Sequence, residues 1–391
     1  MTGVMTSPAS RFLLLFAGLT GTLSATAQTP SVPPPAATPA LPTLAPAPAP
    51  PALGRVRLFE DWAVGCDNRL TCSAVSLLRM GADGSGSEGE VYSVLVSIER
   101  AGGPDGAATI EFAGAYDLRG RINLVVDNED AGQLKVERDT ARVTGEEALK
   151  LIRRLGSSYA LELRQGKTAL AAPSLSGLAE ALRYIDEVQG RIGSEGALAA
   201  IGDGAADQAR PLPEPTLVAP AADGPPPEDP PTLSAQEQEA ARALAQCGGR
   251  QRTALPVEAH ALDRSHVLAL LPCDTDADNV SSIALVASGE PGARRFSVAR
   301  FDLMPGATGE PGTPPLIVNA QWNPVRGLLS SFARGRPLGD CGTSETYRWD
   351  GAMFRLIEAR AMPVCRGAWE WPVIWSAVAQ DGTTRTAAVD H

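Results

Sequence analysis

The sequence predicts a mainly β protein. It consists of two antiparallel β domains, sandwich- or barrel-like, with a few short helices and disulfide staples. Three observations predict it. Short runs alternate apolar and polar residues, as half-buried strands do. Gly, Pro, Asp and Asn punctuate those runs at turn spacing. An even set of six cysteines stands in local pairs behind an export signal.

The chain opens with that signal. Arg11 is the sole charge before an apolar run from Phe12 to Leu23, and Ala25-Thr26-Ala27 is a small-x-small cleavage site. Residues 1–27 therefore read as a signal peptide, with Gln28 starting the mature chain in the periplasm or outside the cell. Crossing a bilayer takes about 20 apolar residues. No second apolar stretch of that length occurs, so no transmembrane span is expected after cleavage. Residues 28–54 form a Pro/Ala-rich tether, uncharged from Thr29 to Pro51, and should be extended. Two blocks of single-domain length follow, 55–201 and 232–391. A Pro-rich linker, 202–231, separates them.

In the first block the strand candidates are Trp62–Cys66, Cys72–Arg79, Val91–Ile98, Thr109–Ala113, Ile122–Val126, Leu134–Glu137 and Tyr159–Leu163. Thr144-Gly145-Glu146-Glu147 is a capping box that opens a helix through Arg154. Ser176 is the expected cap of a second helix to Gln189, with Leu178, Leu182 and Ile185 as its apolar stripe. The second block begins with another capping box, Ser234-Ala235-Gln236-Glu237, and an Ala-rich helix that runs into Cys247. Strands are then expected at His266–Leu271, Ser282–Ala287, Phe296–Phe301, Leu316–Ala320 and Arg326–Phe332. A hairpin follows around Asp350-Gly351, between Glu345–Trp349 and Met353–Glu358.

Six cysteines allow about 15 pairings. The turn at Asp67–Leu70 sets Cys66 opposite Cys72, and the Asp350-Gly351 hairpin brings Cys341 near Cys365. Cys247 and Cys273 remain as the third pair. On chain entropy each closure contributes roughly 2–3.5 kcal/mol. With 45 acidic and 34 basic residues the chain carries a formal charge of −11. That sign repels phosphate backbones and argues against nucleic acid as a partner.

Several segments resemble the exported bacterial family catalogued as domain of unknown function 1176, which six such cysteines mark. They are Phe59-Glu60-Asp61-Trp62-Ala63-Val64-Gly65-Cys66-Asp67-Asn68, Ala181-Leu182-Arg183-Tyr184-Ile185-Asp186 with Gln189-Gly190-Arg191, and Leu271-Pro272-Cys273. Near the end come Gly335-Arg336-Pro337-Leu338-Gly339-Asp340-Cys341-Gly342, Tyr347-Arg348-Trp349-Asp350-Gly351, Cys365-Arg366-Gly367 and Trp371-Pro372-Val373-Ile374-Trp375. One stretch departs from that pattern. After Cys273 a small-residue turn ending in an aromatic and Asn is expected, and Asp274-Thr275-Asp276-Ala277-Asp278-Asn279 stands there instead. The first block also resembles the invasion-associated protein B family, through Trp-x-Val-x-Cys and the helix start at Ser174–Leu178. The first resemblance implies no activity. The second implies a role at the cell envelope or host surface.

Catalytic constellations are scarce. There are three histidines, His260, His266 and His391, and no Gly-x-Ser-x-Gly elbow, His-Glu-x-x-His or Walker-type phosphate loop. His266 alone stands near a cysteine, on the strand leading to Cys273. Its ordinary role is that of a hydrogen-bonded, partly buried side chain. Asp274, Asp276 and Asp278 could aim oxygens at Ca2+. Asn279 replaces the EF-hand glycine and Leu285 its bidentate glutamate, which favours a solvated acidic turn. No other cofactor is implied. Trp369 and Trp371 would share a face if their segment were extended, open for stacking on a sugar or partner. The alternative is that they cover the core over Cys341–Cys365. Arg334 and Arg336, beside Asp340, form a disulfide-pinned polar loop suited to a carboxylate or anion, unless they pair with local acids.

The leading expectation is an envelope binding or interaction module whose partner is an unidentified envelope component or protein. The rival is an enzyme, either a hydrolase using carboxylates or a thiol-dependent one. No Cys-x-x-Cys supports thiol chemistry. A cleft holding two facing carboxylates would favour the hydrolase, and a shallow face would favour binding.

Overall fold

The computed structural model describes residues 50–79, 94–114, 118–221, 226–227, 229–245, 247, 255–306 and 314–380. The expected signal peptide, most of the tether, residues 91–93 of one strand candidate and His391 lie outside the described residues. In the first block the elements run β1 (Arg57–Phe59), β2 (Trp62–Cys66), β3 (Cys72–Ser76), β4 (Val94–Arg100), β5 (Ala108–Gly114), β6 (Arg121–Val126) and β7 (Glu129–Lys135). After them come β8 (Thr140–Thr144), α1 (Gly145–Gly156), β9 (Leu161–Gln165), β10 (Thr168–Ala171) and α2 (Leu178–Gln189).

Two antiparallel sheets result, one six-stranded in the order β1-β2-β3-β4-β5-β8 and one four-stranded in the order β10-β9-β6-β7. Even-numbered residues of β2 to β5, such as Cys72, Val96 and Ile110, and Ala141 of β8 face a core shared with Ile122 and Leu124 of β6, Ile152 of α1 and Leu182 of α2. Strand β2 is buried along its whole length, because its sheet is covered on both faces. The Asp127-Asn128 turn takes positive φ at both residues (51° and 67°), which matches the twist of the β6–β7 hairpin. That hairpin places β7 earlier than the Leu134–Glu137 reading and leaves room for β8, which the sequence reading did not include.

The Pro-rich segment contributes β11 (Leu217–Val218), and the second block contributes α3 (Ala235–Ala245), β12 (Glu258–Ala261), β13 (His266–Thr275), β14 (Val280–Ser288), β15 (Arg295–Val298) and β16 (Leu316–Val318). It continues with β17 (Gln321–Asn323), β18 (Leu328–Arg334), β19 (Gly342–Trp349), β20 (Phe354–Met362), β21 (Val373–Ser376) and β22 (Val378–Ala379). Strands β12 to β15, with β16 on β14, form one sheet and β17 to β21 another. Leu268, Leu270, Val286 and Ile317 meet Leu329, Tyr347, Trp349 and Leu356 between them. Helix α3 covers the outer face of the first of these sheets, packing Ala241 and Ala245 on Ala269, Leu271 and Leu285. Its capping box is formed. The Ser234 N–H donates to Glu237 Oε2 (2.8 Å), and the Glu237 N–H donates to Ser234 Oγ (3.3 Å).

Two caps differ from expectation. Thr144 stands at the N-cap of α1, but its side chain makes no capping bond. Gly177, rather than Ser176, caps α2, at φ 84°. A Cβ there would sit 2.1 Å from the Phe59 carbonyl oxygen, so close backbone approach decides the residue.

The disulfides join Cys66 to Cys72, Cys247 to Cys273 and Cys341 to Cys365. From Pro48 onward the contacts form one compact unit. Ala63, Val75, Leu77 and Leu95, on the second face of the six-stranded sheet, pack on Cys341, Met362, Ala368 and Trp371. The Pro-rich segment joins this unit, as Leu217 and Val218 pair in parallel with Val378 and Ala379. Among the described residues no helix is long and apolar enough to cross a membrane.

Candidate functional site

The apolar contact on that second face gives way to polar residues toward β5 and β8. Alternation along the strands puts Ser73, Ser97, Glu99, Thr109, Glu111 and Arg142 on one surface. The register makes them direct neighbours: Ser73 opposite Glu99, Glu99 opposite Thr109, Ser97 opposite Glu111, and Glu111 opposite Arg142. The facing wall comes from the far end of the chain, through Arg360 of β20 and the segment Glu370–Val373. Between the walls lies a cavity of about 360 Å³. It continues along β8 into a second one of about 790 Å³, which shares Glu111, Arg142 and Glu370 and adds Lys135 and Arg138.

The carboxylates of this groove sit in unlike surroundings. Arg142 Nη2 is 2.5 Å from Glu111 Oε1. Burial pushes the Glu370 carboxyl up, and the nearby Glu111 charge adds to it. A hydrogen bond with Ser97 and the charges of Arg360 and Arg142 act the other way without cancelling the rise. Arg360 is held by Glu358 (2.7 Å) and by the Trp371 carbonyl (3.4 Å).

The residues singled out from the sequence fall elsewhere or take other roles. Arg336 forms a two-point ion pair with Asp340 (Nε–Oδ1 2.6 Å, Nη2–Oδ2 2.5 Å). Burial alone would raise the Asp340 carboxyl. The Arg336 guanidinium and the Gly367 N–H hold it below the usual range, so this pair is local architecture. Arg334 lies over the Phe332 ring at 5.6 Å and lines a separate cavity of about 360 Å³ with Glu258 and Asn319.

The segment around Trp369 and Trp371 is not a strand, so the shared exposed face does not form. Trp371 is buried, stacks on Phe332 (4.9 Å, 22°) and donates from Nε1 to the Ala368 carbonyl (3.1 Å). It still lines the groove. Trp369 packs partly buried on the same cluster. Local burial over the Cys341–Cys365 bridge overrides the pairing that an extended chain would give.

The acidic turn is likewise self-contained. Asp276 accepts from the N–H groups of Asp278 (2.8 Å) and Asn279 (2.6 Å), and Asp274 from that of Thr275 (2.9 Å). Among the described residues the one group of three possible ligands that converges is Asp340, Cys341 and Cys365. Its cysteines are bridged and its aspartate is ion-paired. His266 is held by Asp263 at 2.9 Å, and Asp263 also accepts from Trp349 Nε1 at 2.7 Å. Asp263 thus anchors both rings in the second sandwich.

A further acid stands inside that sandwich. Glu345 on β19 is 5% exposed. Its Oε2, Thr343 Oγ1 and Tyr347 Oη have no hydrogen-bond partner among the described residues. Burial raises the Glu345 carboxyl above the ordinary range despite hydrogen bonds from the Gly306 N–H and Ser331. The folded chain therefore holds this proton more tightly than the unfolded chain does. That stability is complete below the unfolded value and is lost as pH rises through the folded one. Glu345→Gln is expected to flatten the fall in urea midpoint between mildly acidic and mildly alkaline buffer. An unchanged slope would show that Glu345 does not titrate in this way.

Sequence reasoning missed Glu111, Glu370, Arg142, Arg360 and Ser97. A faint signal exists in Trp369-Glu370-Trp371, a carboxylate flanked by aromatics. The other wall needed the register.

A family model described as "Protein of unknown function (DUF1176)" matches residues 56–378. The chain is also similar to the "Uncharacterized protein YpfG" of Escherichia coli (strain K12). The two are 30% identical over 343 residues, which cover 82% of this chain and 92% of that protein. No solved structure matches.

Proposed function

We propose, from the premise that the chain belongs to the family of proteins of unknown function DUF1176, that it is an exported binding protein of the bacterial envelope whose ligand lies in the Glu111–Glu370 groove. The groove itself carries the reading. One strand face turns polar where a distant segment covers it, and the walls leave room for a ligand between hydroxyl, carboxylate and guanidinium groups. Export is supported by the signal-like N-terminus with its cleavage site at Ala27 and by three disulfides, which persist in oxidising compartments. The resemblance of the first block to the invasion-associated protein B family points to the same location. The tether would hold the folded part away from its N-terminus.

Hydroxyls of Ser73 and Thr109 beside charged groups suit a ligand rich in hydroxyls, such as an envelope glycan. The reading predicts that β-linked hexasaccharides quench tryptophan emission in the purified mature protein. Thr109→Trp, which fills the groove, should weaken that binding by roughly tenfold or more, about 1.4 kcal/mol. Equal binding by the filled variant would move the site elsewhere. Intact mass of the exported protein would fix the N-terminus, with Gln28 expected.

A further inference from the structure

We infer that Glu370 and Glu111 are the general acid and general base of a glycoside hydrolase centre in this groove. The inference rests on reading the groove as a glycan site.

Two carboxylates reach one cavity from opposite walls, Glu111 from β5 and Glu370 from the segment between β20 and β21. Their partners differ. Glu111 is ion-paired with Arg142 at 2.5 Å. Glu370 lies against Ser97, opposite the Glu111 charge, where burial favours the proton. Two acids in one site with opposed environments divide into donor and acceptor roles. Acetal cleavage needs that division, with a proton for the leaving oxygen on one side and a carboxylate for water on the other.

Thiol, imidazole and single-cation hydrolytic chemistries lack their parts among the described residues of this groove. The cysteines are all bridged. His260 and His266 belong to β12 and β13 of the second block, so no imidazole from them lines the groove. Glu99, Glu111 and Glu370 do not converge as ligands for one cation. The pair is asymmetric, because Arg142 bonds Glu111 at 2.5 Å while Glu370 lies against Ser97.

Glu370 gives its proton to the glycosidic oxygen as the bond from that oxygen to the anomeric carbon breaks. Glu111 takes a proton from water as the water oxygen bonds to the same carbon. One water is consumed, two shorter saccharides leave, and solvent returns the proton from Glu111 to Glu370.

The test uses the purified mature protein with β-linked hexasaccharides of glucose and of N-acetylglucosamine in heavy-oxygen water. Mass spectrometry should find shorter saccharides carrying one heavy oxygen per cleavage. Glu370→Gln should lower kcat roughly 10²–10⁴-fold, leave Kd unchanged and abolish the alkaline limb of the pH profile. Glu111→Gln should abolish the acidic limb. Ser97→Ala removes a hydrogen bond that favours the charged form of Glu370, so it should move the alkaline limb upward. That variant keeps the test open if a glutamate variant fails to fold. Binding without cleavage would overturn the hydrolase and leave the groove standing. Neither binding nor cleavage would overturn both. Cleavage that survives both glutamine variants would remove these residues from the chemistry.

Discussion

Asp186→Ala is expected to lower the unfolding free energy by about 3–5 kcal/mol, the range for breaking a buried charge assembly by removing one partner. Asp186 on α2 is wholly buried. Its Oδ1 accepts from the Leu198 N–H (2.7 Å), and its Oδ2 accepts from the N–H groups of Ala199 (2.8 Å) and Ala200 (2.9 Å). Its charge also acts on two buried guanidiniums, Arg100 and Arg191. Arg100 is pushed down to about 10, first by burial and then by the like charge of Arg191, while Asp186 opposes the shift. Arg191 is lowered by burial too, again against Asp186. Arg191 otherwise rests on Gln189 Oε1 (2.9 Å) and the Gly103 carbonyl, and Arg100 on the Gly196 carbonyl (3.2 Å). Alanine would leave three N–H donors unpaired and two cations uncompensated. Urea unfolding checks this. Asp186→Asn should recover part of the loss by keeping an acceptor oxygen. A loss under 1 kcal/mol, well below the range for a buried charge, would mean that the 194–200 loop holds without it.

Arg366→Ala is the second large effect, at about 3 kcal/mol, since hydrogen bonds to charged groups contribute roughly 1.5–3 kcal/mol each and do not add fully. Arg366 follows Cys365 but bonds into the first block. It donates to the Leu78 carbonyl (2.8 Å), the Glu60 carbonyl (2.7 Å) and Asp61 Oδ1 (2.5 Å), and both ionic side chains are largely buried. The Leu78 N–H returns a bond to the Arg366 carbonyl (2.8 Å). This side chain therefore ties the β1–β2 turn to the Cys341–Cys365 region, and the same contact helps keep Glu370 over the sheet. The variant should unfold at lower urea and also lose groove binding. A lower midpoint with binding intact would separate the staple from the site.

Much of the fold was legible. Cys66 and Cys72 stand as cross-strand partners, as the short turn between alternating runs implied. The Ser234 capping box and the hairpin around Asp350-Gly351 formed because each is settled within a few residues. The shortfalls share one cause. Strand β1 has three residues, and β8 mixes polar and small residues, so neither carries a pattern of its own. Both exist because a neighbouring strand offers open hydrogen bonds. Gly177 supplanted Ser176 as a cap because a distant carbonyl presses on it. Trp371 takes the covered place over the Cys341–Cys365 bridge rather than an exposed one, because Phe332 stacks on it.

The candidate site was less legible. Alternation at Ser97-Ile98-Glu99 and Thr109-Ile110-Glu111 was visible, and so was the acid between Trp369 and Trp371. By itself the sequence determined the strand periods, the cysteine pairs and the resemblance to a six-cysteine family, because turns, caps and alternation act over a few residues. Only the tertiary structure decided which strand face met an apolar core and which met a polar wall. A period of two assigns side chains to two faces without saying what covers either. Here the cover comes from Arg360 and Glu370, which reach β4 and β5 only after the whole chain has packed.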